Sequence, residues 1–184
     1  MDRTGRGRAR RLAAAAAVIC CTVPLAGCDL FGSGITLAKM TVSSGAFVQD
    51  VMPQRYTCAA GKAISPPLEW SGAPPGTKSF ALVVDDSNTP ITPYVYWIVF
   101  DISPAASGIL QGQLPPGTRQ AQNSAGKAAY DPPCPGAQSH GYRFAIYALD
   151  KTINLPNGAP LSKAWPAIAA ATIGWDRLQV NATS

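Results

Sequence analysis

The sequence predicts a mostly β domain, a β-sandwich with long loops and one or two peripheral helices. Seventeen prolines argue against a helical bundle, because a proline inside a helix costs about 3 kcal/mol. Apolar runs rich in β-branched and aromatic residues alternate with turn signals that contain proline and glycine. At 184 residues, the chain is long enough for one domain of ordinary size with short appendages.

Five apolar runs are the predicted strands: 40–42, 68–70, 79–84, 95–100 and 142–149. The turn signals lie at SPP (65–67), GAPPG (72–76), SNTP (87–90), LPPG (114–117) and DPPCPG (131–136). Three tryptophans are predicted to be core residues: Trp70, Trp97 and Trp165.

A helix is indicated only near the end of the chain. Ser162 is a candidate N-cap, and Pro166 is compatible with a helix only near its first turn. The apolar face of this helix would carry Leu161, Trp165, Ile168 and Ala169.

The N-terminal residues have the pattern of an export signal. Five of the fifteen Lys and Arg residues lie in the first eleven positions, ahead of an apolar stretch of about fifteen residues, which is too short to span a bilayer. The stretch ends in LAGC (25–28), which resembles the lipobox of bacterial lipoproteins. That resemblance implies that Cys28 is acylated and becomes the new N-terminus, which would anchor the protein on the outer, extracytoplasmic face of the bacterial cell membrane.

We therefore expect a signal peptide at 1–27, a tether at 28–39 and one domain at 40–184. The alternative is a plain secretory signal with an incidental cysteine. Arg10 and Arg11 also fit a twin-arginine export signal, although the residues that follow match that pattern poorly.

The remaining charge is nearly balanced. From residue 28 onward, ten Lys and Arg residues face nine Asp and Glu residues, a net charge of +1. The clustered positive charge of a nucleic-acid-binding surface is therefore missing, and we expect no nucleic-acid partner.

Two cysteines remain after the signal and the anchor, Cys58 and Cys134. An exported protein matures in an oxidising compartment, so these two thiols are a candidate disulfide. Closing a loop of about 77 residues would stabilise the fold by roughly 4 kcal/mol. The alternative is two buried, unpaired thiols.

The chain has one histidine, His140. Zinc and copper sites usually need several His or Cys ligands, so we expect no metal. Neither a nucleophile elbow, a Walker A loop nor a dinucleotide-binding fingerprint is present. We therefore expect no cofactor and no enzyme activity, with a hydrolase that uses His140 as its base as the remaining enzymatic alternative.

Several sequence blocks resemble the phosphatidylethanolamine-binding proteins, specifically their bacterial Raf-kinase-inhibitor-like branch. The resemblance covers nearly all of residues 40–150. The blocks occur in the order SPPLEW (65–70), GTKSFAL (76–82), DDSNTP (85–90), YWIVFDI (96–102), PCP (133–135), HGYRF (140–144) and YALD (147–150). It implies a β-sandwich with a small anion pocket at one end, which agrees with the predicted strands.

The family pocket carries an aspartate pair, two histidines and a P-C-P loop. By resemblance, its ligand-binding positions here fall on Asp86, Asn88, Tyr96, Pro133, His140 and Tyr142. The motif is altered at two of these positions, because Asn88 stands at the second aspartate and Tyr96 at the first histidine. Pro90 matches the proline that closes the acidic turn.

The altered residues weaken the expected affinity for anions. Asn88 keeps hydrogen bonding without the charge, and Tyr96 donates a hydrogen bond but cannot become cationic near neutral pH. Each residue also has a structural interpretation. Asp85 and Asp86 could be solvated charges at a strand end, His140 a hydrogen-bonded structural residue, and Tyr96 a packing residue with its hydroxyl at the rim.

The favoured function is a membrane-anchored envelope lipoprotein that binds a small anion or a phospholipid head group, or that regulates or inhibits an envelope protein. The alternative is a structural lipoprotein without a ligand.

Overall fold

The computed structural model describes residues 36–62, 64–88, 93–136 and 139–182. The predicted signal peptide, Cys28 and most of the predicted tether lie outside this range, as does Pro90. In the described part, no helix is long and apolar enough to cross a membrane.

The described residues form nine strands and one α-helix. The strands are β1 (Ala38–Lys39), β2 (Thr41–Ser43), β3 (Leu68–Ser71), β4 (Ser79–Asp86), β5 (Val95–Ile102), β6 (Gly108–Ile109), β7 (Arg119–Gln120), β8 (His140–Leu149) and β9 (Thr172–Ala182). The helix α1 is Leu161–Ala171, and two short 3-10 helices occupy Gln54–Tyr56 and Cys58–Ala60. The mostly β prediction is therefore confirmed, with one α-helix.

The strands form two sheets. The larger sheet has the order β1-β9-β8-β4-β5-β7, and the smaller has the order β2-β3-β6. In the larger sheet β4, β5, β8 and β9 are antiparallel neighbours, while β1 runs parallel to β9. β4 is paired with β8 along its whole length, from Ser79 with Leu149 to Asp86 with Tyr142.

The larger sheet is buried on both faces by different partners. One face packs against the smaller sheet and includes Leu82, Trp97 and Phe144. The other face packs against α1 and includes Ala81, Val83, Ile98 and Ala164. This arrangement explains why the middle of β4, residues 80–84, is a continuous apolar run instead of alternating.

The structure corrects four of the expectations above. The cap of α1 is Pro160, which makes no side-chain hydrogen bond, so Ser162 is not the N-cap. The buried residues of α1 are Ala164, Ile168 and Ala171. Trp165 is 42% exposed and is not a core residue, whereas Trp70 and Trp97 are buried as expected. The fourth is Asp85, which is an ion-pair partner of Arg143 and not a solvated charge.

The longest strand, β9, is absent from the sequence prediction. Its outward positions are polar or exposed, and one inward position carries Asp176. The carboxylate of Asp176 accepts a hydrogen bond from the backbone N–H of Val42 at 2.9 Å and so ties β9 to the smaller sheet. A charged residue at an inward position interrupts the alternation of apolar and polar residues by which strands are recognised in a sequence.

Candidate functional site

The predicted site residues meet where β4 ends and β8 begins. Asp86 lies opposite Tyr142 in the antiparallel register, and opposed residues project from the same face of a sheet. Both face the smaller sheet, because the next positions along this face, Val84 and Phe144, belong to the core between the two sheets. The register therefore brings together two residues that are 56 positions apart in the sequence.

Asp86 and His140 form a hydrogen-bonded pair. The Nε2 atom of His140 lies 2.7 Å from Oδ2 of Asp86. The side chain of Asp86 is 9% exposed and that of His140 is 32% exposed, so the imidazole is the member that solvent and ligands reach. The other carboxylate oxygen of Asp86 accepts the backbone N–H of Asn88 at 2.7 Å, which closes a local turn of the kind that aspartate favours.

Asn88 holds this turn against β8. Its side-chain oxygen accepts the N–H of Gly141 at 3.1 Å and the hydroxyl of Ser87 at 3.2 Å. Ser87 also donates its backbone N–H to the carbonyl of Gly141 at 3.0 Å. A Cβ at position 141 would come too close to Ser87 Oγ and Asn88 Oδ1, so a larger residue there would have to displace these two side chains. The side-chain oxygen of Asn88 is thus used in hydrogen bonds that hold the turn against β8.

Tyr96 occupies a β-bulge. Val84 pairs with Trp97 and Asp85 with Val95, which leaves Tyr96 as the extra residue of β5. The bulge places Tyr96 and Trp97, two consecutive residues, against the same core. The ring of Tyr96 meets the ring of Tyr142 edge-on, with centroids 5.4 Å apart. Burial raises the pKa of Tyr96 above its usual range.

Tyr142 is fully buried and connects the ring of Tyr96 to that of His140, whose centroid lies 5.1 Å away. Its hydroxyl is closed off from solvent and has no hydrogen-bond partner among the described residues. Burial, and secondly the charge of Asp86, raise the pKa of Tyr142 to about 12. The phenol therefore stays protonated over the physiological pH range, as a buried donor without an acceptor.

A cleft of about 280 Å³ opens beside these rings and is lined by Tyr94, Tyr96, Asp131, Pro132 and Cys134. The hydroxyl of Tyr94 donates to Oδ2 of Asp131 at 2.7 Å. Burial, followed by this hydrogen bond, raises the pKa of Tyr94 to about 12. The carboxylate of Asp131 is a second acid at the site, and the sequence prediction does not include it.

Pro133 lies behind the cleft wall. It is buried, and its carbonyl accepts the N–H of Cys58 at 2.9 Å. The neighbouring Pro132 lines the cleft instead. Pro133 thus helps to position the loop, whereas Pro132 provides the surface that lines the cleft.

A disulfide joins Cys58 to Cys134, with their Cα atoms 5.2 Å apart. It ties the loop that carries the cleft wall to the 3-10 helix at Cys58–Ala60. Close by, the hydroxyl of Tyr130 donates to the carbonyl of Tyr56 at 2.8 Å, in a buried hydrogen bond between the same two segments. These links hold Asp131 and Pro132 on a fixed support.

Asp85 is an ion-pair partner, so the expectation of a solvated charge is wrong for this residue. Nε and Nη2 of Arg143 donate to its two carboxylate oxygens at 2.7 and 2.8 Å. Nη2 also donates to the backbone carbonyl of Asp86 at 3.0 Å. The hydrogen bond with Asp85 raises the pKa of Arg143. Arg143 directly opposes Asp85, on the face of the sheet opposite to Asp86.

The site is rich in carboxylates and tyrosine hydroxyls. In the part of the chain that the structure describes, no group of His, Cys, Asp and Glu residues has the arrangement of a metal site. The hydrogen-bond partner found for the imidazole is the carboxylate of Asp86. A hydrolase would place a hydroxyl or thiol within about 3.2 Å of that ring, and the described residues form no such hydrogen bond.

The fold and the site together define a β-sandwich with a small polar cleft at one end, lined by tyrosines and a disulfide-tied proline loop. The Asp86–His140 pair does not line this cleft but is connected to it through the rings of Tyr142 and Tyr96. A family model described as phosphatidylethanolamine-binding protein matches residues 42–183. The chain therefore belongs to the phosphatidylethanolamine-binding protein family, which confirms the resemblance of the sequence blocks.

Relatives of this chain include proteins of bacteria and archaea. A UPF0098 protein of Methanothermobacter thermautotrophicus is 38% identical over 132 residues, which cover 69% of this chain and 87% of that protein. A Mycobacterium tuberculosis protein named "Putative lipoprotein LppC" is 39% identical over 142 residues, which cover 76% of this chain and 70% of that protein.

Two solved structures share the fold. A phosphatidylethanolamine-binding protein homologue of Chlamydia trachomatis, CT736, matches with a TM-score of 0.69 and 32% identity, over 78% of this chain and 97% of that one. Escherichia coli YbcL, described as a member of the mammalian family, matches with a TM-score of 0.71 and 25% identity, over 80% and 99%. Both matches confirm the predicted fold.

Proposed function

We propose that this protein is a lipid-anchored binding module of the bacterial cell envelope and that its cleft takes a phosphate-bearing head group. The observation that carries the proposal is the Asp86–His140 pair, in which a buried carboxylate orients a partly exposed imidazole. With Nε2 held by Asp86, the remaining ring nitrogen, Nδ1, donates to a ligand when the imidazole is protonated. Phosphate oxygens are strong acceptors for such a charge-assisted hydrogen bond.

The cleft favours a zwitterion over a simple anion. Asp131 contributes a negative charge to the lining. A second acid, Asp86, is bonded to His140, and the ring of His140 is linked to that of Tyr96 through Tyr142. An isolated phosphate would be repelled by Asp131. A head group with an ammonium beside its phosphate removes this repulsion, because the ammonium can pair with Asp131 and lie over the rings of Tyr94 and Tyr96. Phosphoethanolamine has this chemistry.

Membrane attachment is the second part of the proposal. The LAGC motif supports lipidation at Cys28, and a relative carries lipoprotein in its name. Cys28→Ala is expected to abolish the lipid mass at the N-terminus and to release the protein from the membrane fraction. Retention of the variant in that fraction with an unaltered N-terminal mass would reject the anchor.

Calorimetric titration with phosphoethanolamine, ethanolamine and inorganic phosphate tests the ligand class. We expect phosphoethanolamine to bind more tightly than either fragment. Removing the charge-assisted donor with His140→Ala should weaken binding about ten- to hundredfold. Asp131→Asn keeps the acceptor for Tyr94 and removes the charge, and it should weaken binding about two- to fivefold.

The matched control is Asp150→Asn, which neutralises an exposed carboxylate just after the opposite end of β8. It should leave all three affinities unchanged. Equal binding of phosphate and phosphoethanolamine would contradict the zwitterion, and binding that survives His140→Ala would contradict the site.

A further inference from the structure

Three aromatic side chains form a row on the face of the larger sheet that carries α1. The ring of Tyr147 lies between the other two, with its centroid 5.7 Å from that of Trp165 and 6.4 Å from that of Trp175. Tyr147 and Trp175 are directly opposed on β8 and β9, and Trp165 comes from the first half of α1. We call Trp165, Tyr147 and Trp175 the aromatic row. It lies on the opposite face of the sheet from Asp86.

The aromatic row is open to solvent. Trp165 is 42% exposed and Trp175 is 37% exposed, although a tryptophan in a fold of this size is usually a core residue. Tyr147 is only partly exposed, and burial raises the pKa of its hydroxyl to about 12. Two exposed indoles joined by a third ring form an apolar surface of the kind that marks an interaction site.

Cations border this surface. Lys39 is paired in register with Trp175 on the neighbouring strand β1, and the guanidinium of Arg177 lies 5.9 Å from the ring centroid of Trp175. Both residues are exposed. Indole and phenol rings concentrate at the head-group level of bilayers, and Lys and Arg at such a surface are attracted to anionic lipids.

The described chain begins beside this surface. β1 starts at Ala38 and runs along β9 next to Gly174 and Trp175, and Leu37, just before it, is 38% exposed. Ala38 is ten positions after Cys28, and a chain of that length spans at most about 35 Å. A lipid anchor at Cys28 would therefore keep the aromatic row within a short distance of the bilayer.

We propose that the aromatic row, with Lys39 and Arg177, docks the domain on the surface of the anionic bilayer in which Cys28 is anchored. This inference rests on the proposed lipid anchor. Tethering converts docking into an intramolecular event with a high effective concentration, so a weak surface affinity is sufficient. Because the cleft lies on the other face of the sheet, docking leaves it accessible to ligands.

Fluorescence quenching of the full-length lipidated protein tests the proposal. The protein is reconstituted into vesicles of phosphatidylglycerol and phosphatidylcholine whose acyl chains are brominated. We expect quenching from Trp165 and Trp175, whereas the buried Trp70 and Trp97 give an unquenched background. The combined variant Trp165→Phe, Trp175→Phe should abolish the quenched component.

Charge reversal tests the lipid specificity. Lys39→Glu with Arg177→Glu should reduce the docked-to-undocked ratio roughly tenfold or more, and vesicles without phosphatidylglycerol should give the same loss. Lys62→Glu with Lys127→Glu makes the same change of charge at exposed residues away from the row and should leave quenching intact.

Failure of the docking and failure of the anchor give different results. If the chain carries the lipid mass and floats with the vesicles, but its tryptophans are not quenched, the docking proposal is wrong and the anchor stands. Quenching that is indifferent to the two charge reversals also overturns the docking proposal. If the chain neither carries lipid nor floats, the anchor is wrong and the inference falls with it.

Discussion

The hydroxyl of Tyr142 offers a sharp test of the structure around the candidate site, because a buried hydroxyl without a partner among the described residues should destabilise the fold. The group is buried and has no hydrogen-bond partner among the described residues. A buried polar group left in that state costs about 1–3 kcal/mol. Tyr142→Phe removes the oxygen and keeps the ring contacts with Tyr96 and His140. We therefore expect the free energy of unfolding to rise by about 1–3 kcal/mol.

Tyr130→Phe is the matched control. Tyr130 is also buried, but its hydroxyl donates to the carbonyl of Tyr56 at 2.8 Å. Here the same substitution leaves the buried carbonyl of Tyr56 without its hydrogen-bond donor, and it should lower the free energy of unfolding by about 1–3 kcal/mol. Each variant lacks one tyrosine hydroxyl oxygen of the native protein. The two substitutions are predicted to shift the free energy of unfolding in opposite directions.

Urea unfolding of both variants, followed by circular dichroism at neutral pH, measures the two changes. The dependence on urea should be the same in each, because the surface exposed on unfolding hardly changes. If Tyr142→Phe is destabilised like Tyr130→Phe, the hydroxyl has a partner in the folded protein. The reasoning that assigns it an unmet hydrogen bond would then be wrong.

Three further predictions follow from the contacts described above. The pKa values of Tyr94, Tyr142 and Tyr147 are raised to about 12 from an unfolded value of about 10, so their contribution to stability is complete below pH 10 and is lost as the pH rises towards 12. Tyrosinate absorbance at 295 nm should therefore rise together with unfolding, and a phenolate signal from these residues near pH 10 in folded protein would be inconsistent with their burial. Replacing Cys58 and Cys134 with serine should lower the free energy of unfolding by about 4 kcal/mol, measured by urea unfolding beside the oxidised protein; an unchanged midpoint would show that the crosslink does not constrain the unfolded chain. Asp85→Asn should cost about 1–2 kcal/mol, between the values for exposed and buried pairs, and should leave phosphoethanolamine affinity within about twofold; a larger loss of affinity would mean that Arg143 acts on the cleft.

Local patterns predict much of the sandwich. Strands β3, β4, β5 and β8 begin within two residues of the predicted positions, because each combines β-branched or aromatic residues with flanking turn signals. The strand β9 is missed for a tertiary reason. Its inward-facing Asp176 is acceptable only because the backbone of β2 supplies a hydrogen bond, and that partner is 134 positions away.

The exposure of Trp165 has a similar cause. The periodicity of α1 indicates an apolar stripe, but the small residues Ala164 and Ala171 flank Ile168 in the contact with the sheet. Close packing of the helix on these residues leaves the larger indole at its edge. Composition alone favours burial of the largest apolar side chain, so the orientation of the helix could not be predicted from it.

The sequence predicts which residues lie near one another at this end of the sandwich better than it predicts their contacts. The resemblance selected Asp86, His140 and Tyr142, which the structure brings together through the register of β4 and β8. The bulge at Tyr96 and the cross-strand partner of Asp85 depend on pairing between distant segments. Asp131 joins the cleft because the disulfide-tied loop folds across the start of β5, which no local pattern in the sequence encodes.

We propose above that a zwitterionic head group binds in the cleft lined by Tyr94, Tyr96 and Asp131. The most direct measurement is a ¹H–¹⁵N NMR titration of the protein with phosphoethanolamine. We expect saturable shifts of the Asn88, Asp131 and Gly141 amides, with no shift of Lys78 and Asp150 at the opposite end of the sheet. Shifts confined to other parts of the fold, or none at saturating phosphoethanolamine, would contradict it.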